Sequence, residues 1–212
     1  MTVHYYAFGS VCRGEVDRGS DVDLLACVSG ERVDLDPQKF SIYSHDRLAE
    51  MWRAGSPFAW HIHRESRLLY ASDGVDFVAG LGAPGPYRDR RADCEKFERL
   101  FDESFRALAA NENSSVFHLS CMFLAMRNFA TCYSFGSGTP IFSRRSPLLL
   151  KERVPIRTDA FEIFARARIL STRGYGQAIL DHEIDEAKKA SNAIAQWMRV
   201  LLSSENFDER VQ

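Results

Sequence analysis

Asp21 and Asp23, two carboxylates at i and i+2, are the residues of this chain best placed to do chemistry. They open an apolar run, Leu24-Leu25-Ala26-Cys27-Val28, that reads as a strand. Alternate strand residues share a face, so both acids point the same way while Val22 points into the core. Parallel carboxylates repel unless a cation lies between them, and an all-oxygen ligand set of this kind suits Mg²⁺. Upstream, across the ten residues 11–20, stands Gly9-Ser10, directly after a second apolar run, Tyr5-Tyr6-Ala7-Phe8. A turn there offers backbone N–H groups and a hydroxyl to phosphate oxygens, and Gly9 has no Cβ to block their approach. Acids that bind a divalent cation beside a phosphate cradle are the parts of a nucleotide site.

The stretch from Phe8 to Asp23 resembles the signature of the polymerase-β-like nucleotidyltransferase superfamily: Gly-Ser, a spacer, then Asp-x-Asp on the next strand. Arg13-Gly14 and Ser20 resemble the minimal and aminoglycoside nucleotidyltransferase branches in particular. The resemblance implies transfer of a nucleoside monophosphate from a nucleoside triphosphate, ATP or another, to an acceptor hydroxyl, with Mg²⁺ as cofactor. It assigns catalysis and metal binding to Asp21 and Asp23, and nucleotide binding to Gly9, Ser10, Arg13 and Ser20. In that superfamily the protein contributes position and charge rather than a covalent bond to the substrate. The acceptor, whether a small molecule, a protein or an RNA end, is left open.

The family carries a third acid on a following strand, and here that position falls on Ser41, in Lys39-Phe40-Ser41-Ile42-Tyr43-Ser44. A serine hydroxyl replaces neither an anionic ligand nor a base. Either Asp34 or Asp36 completes the set, or the triad is incomplete. The second case implies an alternative reading: an impaired nucleotidyltransferase fold serving as a nucleotide-binding regulatory or antitoxin-like partner module.

Around these residues the pattern predicts an α+β fold, a small mixed sheet with helices followed by an all-α bundle. Residues 1–80 form the nucleotidyltransferase-like domain, the Gly- and Pro-rich residues 81–87 a linker, and 88–212 the bundle. In the first part, His45 to Glu65 reads as two short helices broken at Pro57, and Leu68-Leu69-Tyr70 as a closing strand. The helix that precedes the first motif strand in the family is expected to be absent, which leaves a sheet face for something else to cover.

Apolar residues at three- and four-residue spacing predict bundle helices over 88–110, 113–133 (capped by Asn113 or Ser114), from a Thr158 cap to Gly174, and over about 177–202. This half resembles the helical part of kanamycin-type nucleotidyltransferases and the HEPN proteins that pair with minimal nucleotidyltransferases. At the position of the HEPN ribonuclease histidine stands Cys132, downstream of Arg127, and a thiol is no substitute for imidazole as a proton shuttle.

His61 and His63, two apart, do not share a helix face, and ordinary packing is expected of them. The basic group Arg144, Arg145, Lys151 and Arg153 and the helix residues Arg166, Arg168 and Arg173 are candidates to meet phosphate. The acids Glu95, Asp102, Glu103 and Glu112 are candidates to meet a polycationic acceptor.

Composition is that of an ordinary globular chain of 212 residues, 45% apolar and 26% charged. A net charge of −2 offers no bulk attraction to nucleic acid, which argues against a processive polymerase. No apolar run is long enough to span a bilayer and no secretory leader is evident, so no membrane role is expected. Five scattered cysteines without metal-site spacing fit reduced thiols and a cytoplasmic location. A homodimer or a protein partner is consistent with the apolar bundle.

Overall fold

The computed structural model describes residues 2–16, 22–30, 34–111, 114–204 and 207. The chain divides into two compact units, Met1–Arg88 and Asp89–Gln212, and the architecture is α+β. No helix among the described residues is long and apolar enough to cross a membrane.

The first unit is built on a four-stranded sheet of order β3-β2-β1-β4, from β1 (Thr2–Phe8), β2 (Asp23–Ser29), β3 (Phe40–Ser44) and β4 (Arg67–Ala71). β1 pairs antiparallel with β2 and β4, and β2 pairs parallel with β3. Directly paired residues present their side chains to one face. The register therefore places Phe8 with Asp23, Tyr6 with Leu25 and His4 with Cys27 on one side, joined there by Ser41 and Tyr43 from β3. That face carries α2 (His45–Arg53) and α3 (Pro57–Glu65), each opened by a serine, Ser44 or Ser56, whose side chain caps a backbone N–H. Tyr6, Phe8, Leu25, Leu48, Trp52 and Ile62 close the core between sheet and helices. Each such side chain contributes on the order of 1.5–3 kcal/mol by burial.

Val22 departs from its expected inward orientation. It precedes β2 and is 52% exposed, because alternation begins only where the ladder begins, at Asp23. The opposite sheet face carries an aromatic row in which the Tyr5 ring lies 5.4 Å from Phe40 and 5.8 Å from Tyr70.

The stretch read from sequence as a linker is strapped to this first unit. Trp52 Nε1 donates to the Gly82 carbonyl at 2.9 Å and Trp60 Nε1 to the Gly85 carbonyl at 3.0 Å. The Gly85 N–H in turn donates to the Trp52 carbonyl at 2.8 Å. Two bulky indoles need acceptors when buried, and a segment without helix or ladder has carbonyls to spare. A single-turn helix, α4 (Phe77–Gly80), precedes the strap and is capped by Asp76.

The second unit packs α5 (Arg90–Ala109), α6 (Ser115–Ser134), α8 (Thr158–Arg173) and α9 (Asp181–Leu202) together, with a short α7 (Ser146–Leu149) beside α6. α6 buries residues on every side and is the central helix, touching α5, α8 and α9. Ser114 is its N-terminal flank, though without a side-chain cap bond, and Asn113 lies outside the described residues. Two helix starts differ from expectation. Thr158 is the first helical residue rather than the cap, with Arg157 extended before it. α9 begins at Asp181, because Gly174 and Gly176 have positive φ and the Glu183 carboxylate accepts from the Leu180 N–H at 2.9 Å to set the first turn there.

Candidate functional site

β1 ends at Phe8 and the chain turns at Gly9 with φ 80° and ψ −147°, a conformation essentially reserved for glycine. It then winds through a single helical turn, α1 (Ser10–Arg13), whose Cys12 and Arg13 N–H groups return to the Gly9 carbonyl at 3.1 and 3.3 Å. The Asp23 carboxylate, on the strand paired with β1, is laid over Gly9: a Cβ on Gly9 would run into Asp23 Oδ2 and stand 3.3 Å from its Cγ. Two features that the sequence places fourteen positions apart, the Gly-Ser turn and the acid, thus meet at one end of the sheet. Asp21 and Ser20 lie outside the described residues.

Ser10 is half-buried on the first turn of α1. Arg13 is engaged. Its guanidinium pairs with Glu65, from the last turn of α3, and its Nε donates to Glu15 at 3.2 Å. Glu65 also meets His61 Nε2 at 3.0 Å, and the His61 ring stands edge-on to Phe8, 5.5 Å away. Burial pushes the Glu65 carboxyl up, but hydrogen bonds from His61 and Arg13 with the Arg13 charge outweigh it and hold the group below the ordinary glutamate range. The Arg13–Glu65–His61 set therefore ties the turn after β1 to the end of α3. An i,i+4 spacing on one helix was the available sequence signal for the His61–Glu65 half of it. His63, by contrast, packs edge-on against Trp52 and Trp60.

On β3, Ser41 pairs in register with Leu25 and so stands on the same face as Asp23, where the resemblance expects an acid. Asp34 and Asp36 precede that strand. Asp36 accepts the Gln38 N–H at 2.9 Å and sits 3.7 Å from Lys39 Nζ, the ordinary work of a turn aspartate. Among the described residues no three histidine, cysteine, aspartate or glutamate side chains group closely enough to hold a metal ion.

In the second unit four of the six arginines singled out as phosphate candidates have local partners: Arg145 with Glu162 at 2.7 Å, Arg166 with Glu183 at 2.5 Å, Arg168 with Ser120 at 3.4 Å and Arg173 with Tyr175 at 3.2 Å. Of the acids, Glu95 lies 3.8 Å from Arg91, Asp102 pairs with Arg199, and Glu112 is outside the described residues. A cavity of about 460 Å³ opens beside Arg90, Tyr133 and Lys151, with Gly136 backed onto the Arg90 guanidinium. No family model matches the chain, and no curated protein matches it.

Proposed function

We propose that the first unit binds a nucleoside triphosphate with Mg²⁺ and that the chain is a nucleotidyltransferase, passing a nucleoside monophosphate to an acceptor hydroxyl. The observation that carries this reading is the Asp23 carboxylate seated on Gly9. It leaves an acidic oxygen beside a turn whose main chain is unscreened by any side chain at Gly9, the juxtaposition a metal-bound triphosphate needs. The donor chemistry fits a hard divalent ion: Asp23, with Asp21 two residues before it, would hold Mg²⁺. When bound, the ion would offset the charge of the triphosphate and favour loss of pyrophosphate. This chain's own part is to orient. Gly9 and Ser10 receive the outer phosphates, and Arg13, fixed by Glu65 and Glu15, holds the turn in shape. Five cysteines without a disulfide suit the reducing cytoplasm as the place of action.

A second reading, a nucleotide-binding regulator that does not turn over, is favoured by Ser41 on the acid-bearing face and by the commitment of Arg13 to carboxylates.

Calorimetric titration of a non-hydrolysable ATP analogue with Mg²⁺, with a GTP analogue alongside, tests the site in wild type, Asp23→Ala and Gly9→Ala. Mg²⁺-dependent binding that drops at least tenfold in both variants is expected. The Gly9→Ala chain should also lose about 2 kcal/mol of stability, since alanine is strained at that φ and displaces Asp23. Absence of binding to either analogue in folded wild type overturns the reading. Binding without transfer of label from nucleotide to any acceptor selects the regulator.

A further inference from the structure

The cavity of about 460 Å³ in the second unit is walled by the start of α5, the end of α6 and the turn after it, α7 with the residues that follow, and the last turn of α9. Its volume falls in the range of roughly 300–1,000 Å³ usual for small-molecule sites. Two cations of different kinds stand in the wall. Arg90 is built in: it is 6% exposed, donates to the Phe207 carbonyl and lies with its guanidinium carbon 4.2 Å from the centre of the Phe207 ring. A Cβ at position 136 would collide with Arg90 Nη1, so the glycine there is what lets the guanidinium lie against the turn after α6.

Lys151 is the opposite case, exposed and with no hydrogen-bond or ion-pair partner among the described residues. One acid, Glu152, shares the lining with these two cations, which leaves one positive charge in excess. Beside them the Ser137 hydroxyl donates to the Ser134 carbonyl at 2.7 Å. The 3.2 Å between the Ser137 and Thr139 hydroxyl oxygens is long for such a pair, so Thr139 can turn its hydrogen toward a ligand. The rest of the lining is largely apolar. Leu150 and Leu201 are buried in it, whereas Leu149 of α7 and Val200 of α9 are 54% and 55% exposed. Two large aliphatic side chains from separate helices, both wet and both on one cavity, are what a bound apolar body would cover.

We propose that this cavity binds a small organic anion, a single carboxylate or phosphate head on an apolar body. The head meets Lys151 and the Thr139 hydroxyl beside the fixed charge of Arg90, and the body covers Leu149 and Val200. Inorganic phosphate alone would leave both aliphatic side chains in water. A neutral apolar molecule would leave the excess positive charge unanswered, and an organic cation would be repelled by it. Every residue of the site belongs to the second unit, so the assignment stands apart from the nucleotide site proposed for the first.

The test is a fluorescence titration of the full chain with 1-anilinonaphthalene-8-sulfonate, an aromatic anion that brightens on leaving water. It is repeated in Lys151→Glu, which reverses the free charge, and in Val200→Phe, which narrows the cavity. Both positions are exposed, so both variants should keep the wild-type unfolding midpoint. Binding to wild type that weakens at least fivefold in each variant is expected. Competition then reads the head group. 4-Phenylbutyrate or 4-phenylbutyl phosphate should displace the dye at least tenfold better than 4-phenylbutylamine, and the stronger of the two anions tells carboxylate from phosphate. Absence of binding to folded wild type, an affinity unchanged in both variants, or equal displacement by the amine overturns the proposal.

Discussion

Glu65 receives two basic groups brought from different parts of the first unit, Arg13 and His61, and is only 16% exposed in its side chain. Its carboxyl is depressed in the folded state, so the stability it contributes is present above the unfolded glutamate value of about 4.3 and is lost as pH falls through the lower folded value. Glu65→Gln keeps the shape and removes the charge. It is expected to cost about 2 kcal/mol at pH 7. The difference from wild type should shrink on acidification through the carboxylate range, as read by urea denaturation at a series of pH values. A constant difference from pH 7 down to pH 3 would show that the pair contributes nothing through charge. At this scale the sequence was legible in part. Gly9 and Asp23 announced themselves by type and spacing, whereas the engagement of Arg13 by Glu65 joins positions 52 residues apart and left no local signal. The hydrogen bonds that join His4 to His45 and to Asp73 were equally silent, since these partners lie 41 and 69 positions away.

Elements were the most legible level, because period and punctuation act over a few residues. Apolar runs marked β1 and β2, the family resemblance placed β3, Pro57 marked the break between α2 and α3, and three-to-four spacing found the long helices of the bundle. What escaped were single turns, α1, α4 and α7, too short to show a period, and the strap over 82–85. Glycine and proline density correctly excluded helix and ladder there. It said nothing of the two indoles waiting for carbonyl acceptors, which are contributed by residues 25 and 30 positions earlier. A methyl group on Gly85 would sit 2.5 Å from the Arg53 carbonyl oxygen, which is main chain and yields little. Gly85→Ala is therefore expected to lift the strap, at a cost of about 1–3 kcal/mol. Tryptophan emission should shift to the red as Trp60 and Trp52 become wetter. Unchanged emission and stability would mean that the strap accommodates the methyl without leaving the indoles.

The whole molecule is two units with separate cores, one between a sheet and two helices, the other around α6. The first core encloses one buried thiol and the second two, Cys94 and Cys132. Cys27 in the first is fully buried, its ionisation pushed up to about 12 by burial and then by Asp76. Cys94 in the second is also fully buried, and burial, followed by the neighbouring Cys132, drives it upward further still. Only a thiolate attacks an alkylating reagent, so neither group reacts while its own core is shut. Modification of Cys27 then counts openings of the first unit and modification of Cys94 openings of the second, above the faster background of half-buried Cys12 and Cys121. Mass-spectrometric labelling of the native chain should give two distinct rates, and added nucleotide analogue with Mg²⁺ should slow Cys27 first, by the ratio of free to bound protein. Equal rates at both thiols under all conditions would mean that the halves open as one. The chain in effect carries a clock in each half, each wound by its own core and readable without attaching any label beforehand.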